Sequence, residues 1–225
     1  ITINLKKYDS HQNPIEETQL GYAQFKVTGT FSDGTEEKTV TSANISTVLN
    51  TQLIAGNQYT FIEVKAPDGY ELAGTLTIEV HTDGTISAVE DNNQWTIDNG
   101  QSISQINVYD QSIVIHIKKL NNDNEGLKNA TFALYLGDQY METLITDENG
   151  NVSMNHLIQG KTYTLKETVA PEGYKLLSDT ILFTVGDDGR PSINEYEYVQ
   201  INNETIEILN EETEISFVKR ILHDQ

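Results

Sequence analysis

The sequence contains no cysteine. No disulfide can therefore hold it together, and neither thiol catalysis nor a thioester can reside in it. Basic residues are scarce: 14 Lys and Arg stand against 34 Asp and Glu, for a formal net charge of −20. That balance argues against nucleic acid, whose phosphates call for Lys and Arg, and against anionic membrane surfaces. The acidity is evenly spread, −10 over residues 1–111 and −10 over 112–212, as a solvated surface would be. No apolar run approaches the length of a membrane span, so no membrane insertion is expected. Neither a leader nor an anchor is recognisable, and the sequence reads as part of a longer chain.

What is present is strand. Ile1, Ile3, Leu5 and Lys7 alternate with polar residues and share one face, because side chains on a strand change sides with a period of two. Ala23–Val27 and Thr75–Val80 alternate in the same way, and Ser32-Asp33-Gly34-Thr35 and Asp83-Gly84 are turn signals. Between Glu36 and Gly56 the pattern admits strands, or one or two helical turns over Ile45–Leu53. Residues 89–102 are polar and read as loop apart from Trp95 and Ile97. Ile106–Asp110 closes the unit.

The pattern then restarts. Ile113–Lys119, Ala130–Tyr135, a turn at Thr146–Asn151, Ile181–Val185, the Asp188-Gly189 turn and Thr205–Asn210 repeat the series. The most specific repeat is Tyr59-Thr60-Phe61-Ile62-Glu63-Val64-Lys65-Ala66-Pro67-Asp68-Gly69-Tyr70 against Tyr163-Thr164-Leu165-Lys166-Glu167-Thr168-Val169-Ala170-Pro171-Glu172-Gly173-Tyr174. Corresponding points are offset by 112, 104 and 100 residues, so the first copy carries the longer loops. A period near 100 means tandem domains, each with its own core. The expectation is an all-β chain of two β-sandwich domains, 1–111 and 112–212. Residues 213–225 are a linker and the first strand of a further repeat, because Ile215, Phe217 and Lys219 begin the pattern a third time.

Each repeat places three polar residues in phase with apolar ones. Lys7 and Lys119 end the apolar face of the first strand, Glu63 and Glu167 that of a middle strand, Asp110 and Asn210 that of the last. Polar groups aimed into one core must meet, since an unpaired buried charge costs several kcal/mol. One reading is a hydrogen-bonded salt-bridge cluster. The other is a reaction centre, because burial favours neutral lysine and protonated glutamate. A neutral amine can attack the Asp or Asn carbonyl while the glutamic acid polarises it and shuttles the proton. The product is an amide between side chains, with loss of water from the Asp pair or ammonia from the Asn pair.

The Tyr-x-x-x-Glu-x-x-Ala-Pro-x-Gly-Tyr stretch resembles the glutamate motif of the collagen-adhesin B-type domains of Gram-positive surface adhesins and pilins. The Lys strand, the Ala-x-Phe strand and the terminal Asp or Asn resemble that family too, over nearly all of residues 1–212. The resemblance implies prealbumin-like (Ig-like) sandwiches with first and last strands side by side. It also implies spontaneous Lys7–Asp110 and Lys119–Asn210 isopeptide bonds, with Glu63 and Glu167 as catalytic acids. The first copy departs in having Val64-Lys65 where the second has Thr168-Val169, and in its longer loops.

Other signals are weaker. Asn121, Asp123, Glu125 and Gly126 imitate half a calcium loop, but Phe132 stands where the closing Glu belongs, so neither metal nor cofactor is expected. Prolines at 14, 67, 171 and 191 only leave no room for a sorting signal or a pilin-linkage motif. No paired acids at a defined spacing support a hydrolase, and a single-turnover self-reaction does not make an enzyme. The expected role is an extracellular stalk segment of a cell-surface adhesin or pilus-associated protein, anchored to the cell wall through regions elsewhere. Its partners would be neighbouring domains of the same surface protein. The alternative is a module whose loops, roughly Glu36 to Gly56 and Glu90 to Ser102, bind a host extracellular-matrix or cell-surface ligand, with Trp95 as the hint.

Lys219 has no following glutamate motif and no closing Asp or Asn in this sequence, and is expected to stay a free amine. Peptide mapping checks this: a cross-linked peptide containing Lys219 would show the repeat boundaries to be misplaced.

Overall fold

A computed structural model describes residues 1–90 and 93–213. The expected strand at Ile215–Lys219 lies outside the described residues, as do positions 91 and 92. The chain separates into two compact units, built mainly on Ile1–Val114 and on Ile115–Met154, Thr162–Thr184 and the segment from Pro191.

The first unit contains β1 (Thr2–Asp9), α1 (Glu17–Leu20), β2 (Gln24–Thr28), β3 (Glu37–Thr41), α2 (Ile45–Val48), β4 (Gln58–Lys65), β5 (Leu76–Val80), β6 (Ile86–Ala88), β7 (Trp95–Asn99) and β8 (Ile103–Asp110). They form a three-stranded sheet, β1-β8-β7, and a five-stranded sheet, β3-β2-β4-β5-β6. The alternation seen in the sequence is the alternation of burial. Ile3 and Leu5 of β1, Phe25 and Val27 of β2, Tyr59 and Phe61 of β4, and Ile106 and Val108 of β8 fill one apolar core. Each such side chain contributes about 1.5–3 kcal/mol on burial.

The second unit repeats this with β9 (Val114–Leu120), β10 (Thr131–Leu136), β11 (Gln139–Ile145), β12 (Asn151–Asn155), β13 (Thr162–Val169), β14 (Ile181–Val185), β15 (Pro191–Ile193), β16 (Val199–Asn202) and β17 (Thr205–Leu209). Its sheets are β12-β9-β17-β16 and β11-β10-β13-β14-β15. Tyr163 stacks on Phe183 at 5.5 Å, and Ile115, Ile117, Phe132, Leu165, Ile206 and Ile208 are buried with them. The all-β, two-sandwich expectation holds. No described helix is long and apolar enough to cross a membrane.

Two expectations need correction. Residues 89–102 are not loop around isolated Trp95 and Ile97: Trp95–Asn99 is strand β7, paired antiparallel to β8. Trp95 is 5% exposed, its ring set edge-on to Phe25 and its Nε1 donating to Gly74 O at 2.9 Å. Trp95 is thus a core residue on a strand and not an exposed loop residue. The other proposed gripping loop, Glu36 to Gly56, holds β3 and α2, and its Val40, Ile45, Leu49 and Leu53 are core residues. Its amphipathic turn is stabilised by burial, since four residues are far too few to be helical alone.

In the second unit the first strand is held close to a turn. Lys119 N–H donates to Gly150 O at 2.8 Å, and Gly150 has φ +78°. A Cβ there would collide with Lys119 O and lie 2.7 Å from Leu127 N. Gly137, at φ +59°, has open space around it. Gly137→Ala should therefore cost only the left-handed backbone strain, about 1–2 kcal/mol. Gly150→Ala should cost clearly more, because backbone must also move. Denaturant unfolding of the two variants checks the order; equal losses would contradict it.

Candidate functional site

The first and last strands of each unit are parallel neighbours. In β1–β8, Lys7 is opposite Val108; in β9–β17, Lys119 is opposite Ile208. Asp110 and Asn210 lie two residues beyond those partners, on the same face as the lysine. The two registers are identical, so the loop insertions in the first unit leave this arrangement untouched.

The glutamates arrive from the facing sheet. Phe25 pairs with Glu63 and Gln24 with Lys65; Phe132 pairs with Glu167 and Thr131 with Val169. Val64 and Thr168 are thus the extra residues of two matching β-bulges immediately after each glutamate. A bulge bends the strand and re-aims its side chains. The Pro-x-Gly turn follows, with Gly69 at φ +92° and Gly173 at φ +87°. It sends the chain back along the end of the last strand. Glu71 N–H donates to Gln111 O and Ile113 N–H to Gly69 O; Lys175 N–H donates to Glu211 O and Thr213 N–H to Gly173 O, all at 2.8–2.9 Å. The glutamate end of one sheet is thereby tied to the Asp or Asn end of the other.

All six sequence-identified residues are buried, none more than 3% exposed, and strand register and pairing assign them to two threes. In the first centre, Lys7 Nζ donates to Glu63 Oε1 at 2.6 Å and to Asp110 Oδ1 at 2.5 Å. In the second, Lys119 Nζ lies 3.4 Å from Glu167 Oε1 without hydrogen-bond geometry. Sequence reasoning missed what holds each glutamate. Ala73 N–H donates to Glu63 Oε2 at 2.7 Å, and Leu177 N–H to Glu167 Oε2 at 2.8 Å. With Oε2 held by backbone, Oε1 of each glutamate is the atom left facing the lysine. The lysines also stand over rings, Lys7 above Phe25 at 5.5 Å and Lys119 above Phe132 at 5.8 Å. The doubled Ala-x-Phe strand carried that signal.

Burial sets the electrostatics. It raises Glu63 above the usual carboxylate range, Lys7 opposing, and raises Asp110 to about 7 against the same opposition. Burial lowers Lys119 to about 8, against the pull of Glu167. These shifts favour neutral groups at both centres.

Among the described residues, five buried side-chain polar atoms have no hydrogen-bond partner. They are Asp110 Oδ2, Lys119 Nζ, Glu167 Oε1, and Asn210 Oδ1 and Nδ2. Every one belongs to the two threes. Each such atom costs about 1–3 kcal/mol. No group of three or more potential metal ligands occurs among the described residues, and Asn121 instead caps its own turn by accepting from Asp123 and Glu125 N–H.

Comparison with known proteins adds the following. A family model described as SpaA, prealbumin-like fold domain, matches residues 1–95 and 114–205. The C-terminal fragment of pilus adhesin SpaC from Lactobacillus rhamnosus GG is 21% identical, with 96% of this chain and 99% of that one covered and a TM-score of 0.53. An iodide-soaked form of that fragment gives 20%, 95%, 98% and 0.54. A longer SpaC structure is 21% identical with a TM-score of 0.50, and 94% of this chain covers 31% of it. At these identities the likeness is one of fold. The curated proteins give no match.

Proposed function

The chain belongs to the family of SpaA prealbumin-like fold domains, and from that premise we propose that it is a stalk segment of a Gram-positive surface adhesin or pilus-associated protein, with one self-formed isopeptide bond in each of two tandem domains, 1–111 and 112–212. The observation that carries this reading is that, among the described residues, all five unpartnered buried side-chain polar atoms belong to the two Lys–Glu–Asp/Asn threes. A salt-bridge cluster would be expected to satisfy its members. An amide removes the problem instead, by consuming the amine and expelling a leaving group.

The proton count allows it without help from solvent. A charged Lys7, one carboxylate and one carboxylic acid hold as many protons as a neutral Lys7 and two carboxylic acids. Lys7 Nζ bonds to Asp110 Cγ, Glu63 Oε1 gives its proton to the departing hydroxyl and takes one from the amine, and water leaves. At the second centre Lys119 Nζ bonds to Asn210 Cγ, Glu167 Oε1 plays the same part, and Nδ2 leaves as ammonia. Fixed proximity supplies about 7–11 kcal/mol of the barrier in good cases. Each chain reacts once per centre, so this is not enzymatic turnover.

The bond suits a stalk. Tension entering along β1 passes through Lys7 to Asp110 and leaves, so residues 8–109 carry none of it; residues 120–209 are spared likewise. Closing a loop near 100 residues also restricts the unfolded chain by about 4.7 kcal/mol, if disulfide arithmetic carries over. Cell-wall anchoring, an extracellular location and assembly with neighbouring domains of the same surface protein follow from the same reading. Host-ligand binding through first-unit loops loses support, because Trp95 and Val40, Ile45, Leu49 and Leu53 of the Glu36 to Gly56 segment are committed to the core.

Glu63→Ala and Glu167→Ala test the assignment one centre at a time. Each should leave its own domain uncross-linked and the other intact, so that single-molecule pulling extends the altered domain fully while the partner domain stays short. Full cross-linking in either variant would remove that glutamate from the mechanism.

The two centres should also differ in pH dependence. Asp110 must be protonated to lose water, so the first bond should form more slowly as pH rises through about 7. The second centre holds an amide instead of that acid, so its bond should not share this fall, and more of the Lys119 amine, lowered to about 8 by burial, is neutral as pH rises. Mass measurements on freshly synthesised chain across pH give the two profiles; coincident ones would contradict the roles given to Asp110 and Lys119.

A further inference from the structure

The second centre borders a cavity of about 260 Å³, lined by segment 175–178, Tyr198 and residues 209–211. Asn210 is one of its lining residues, 2% exposed, with neither side-chain polar atom partnered. Leu177, whose N–H holds Glu167 Oε2, is another. Both residues therefore contribute to its wall, with the Asn210 amide oxygen and nitrogen buried behind it. In the first unit the matching segment is pinned to β7: Gly74 N–H donates to Gln94 Oε1 at 2.9 Å and Trp95 Nε1 to Gly74 O at 2.9 Å.

The two reactions release different molecules, and the difference matters. At Asn210 one carboxamide is exchanged for another, so reactant and product amides are of similar stability. Ammonia that stayed beside the new bond would itself be a nucleophile able to reverse the step. Its escape to solvent, where it is protonated, gives the exchange a direction. A water molecule takes up roughly 30 Å³ of liquid, and ammonia is of similar size, so the cavity accommodates ammonia or a short alkylamine.

Resting on the cross-linking reading above, we propose that this cavity is the exit for ammonia from Asn210 and, in reverse, a binding site for a small primary amine that can replace Lys119 Nζ. In that reverse use the amine nitrogen bonds to Asn210 Cγ and the Cγ–Nδ2 bond breaks. Glu167 Oε1 gives its proton to the departing nitrogen and recovers one from the attacking amine, and ammonia leaves. Lys175, Leu176, Ser178 and Glu211 are exposed parts of the wall, so the opening is reachable from solvent.

The test uses the whole chain carrying Lys119→Ala, incubated with methylamine in neutral to mildly alkaline buffer and mapped by mass spectrometry. Asn210 should become its N-methylamide, many-fold above Asn121, a buried asparagine whose side chain is hydrogen-bonded. Adding Glu167→Gln should abolish the product, and adding Ser178→Trp should lower it several-fold by filling the opening. Equal labelling of Asn121 and Asn210, or labelling indifferent to Ser178→Trp, would overturn the proposal. An arm that keeps the lysine guards against misfolding. In freshly synthesised chain, Ser178→Trp alone should slow loss of ammonia several-fold and leave loss of water unchanged; unchanged loss of both would count against the exit. Failure of the two ideas is separable. A chain with Lys119 in place that never loses ammonia refutes the cross-link itself, whereas normal loss with no methylamine uptake in Lys119→Ala refutes only the cavity.

Discussion

The parallel pairing of first and last strands governs this chain. Because Lys7 is opposite Val108 and Lys119 opposite Ile208, the residue two further along the last strand faces the lysine from the same side of the sheet. A shift of one residue would turn Asp110 or Asn210 outward. The register is fixed by apolar pairs behind it, Leu5 with Ile106 and Ile117 with Ile206, all buried. Ordinary hydrophobic packing thus sets each lysine on the same face as the Asp or Asn, and the proposed reaction would need no separate scaffold.

The glutamate is delivered by a second device, the bulge and turn that follow it. Val64 and Thr168 end the regular ladder, and the Pro-x-Gly turn then runs its chain back to the end of the last strand. The same backtracking segment supplies the N–H that fixes Oε2, from Ala73 in one unit and Leu177 in the other. One sequence motif therefore sets the glutamate's position and its orientation. This accounts for its being the best-preserved stretch between two copies that otherwise differ in loop length.

Much of this was legible in the sequence because it depends on parity. Period-two alternation identifies which polar residues point inward, and all six are buried. What depends on backbone hydrogen bonding between distant segments was not legible. Ala73 and Leu177 act through their N–H groups, which no side-chain pattern reveals. The bulges appear in sequence only as the Val64-Lys65 and Thr168-Val169 dipeptides, and their register shift needs the partner strand to be seen. Strand β7 was misread because four of its five residues, Thr96 to Asn99, face solvent at least in part, so only Trp95 and the half-buried Ile97 carry an apolar signal. The cavity beside Asn210 arises from segments 30 residues apart in sequence and has no local signature.

The account rests on two covalent bonds, and the intact mass of the purified, unsubstituted chain tests them most directly. It predicts a mass below the sequence mass by one water and one ammonia, with the water lost between Lys7 and Asp110 and the ammonia between Lys119 and Asn210. A mass equal to that of the sequence would contradict it, and would leave two buried clusters whose unpartnered atoms lack an explanation.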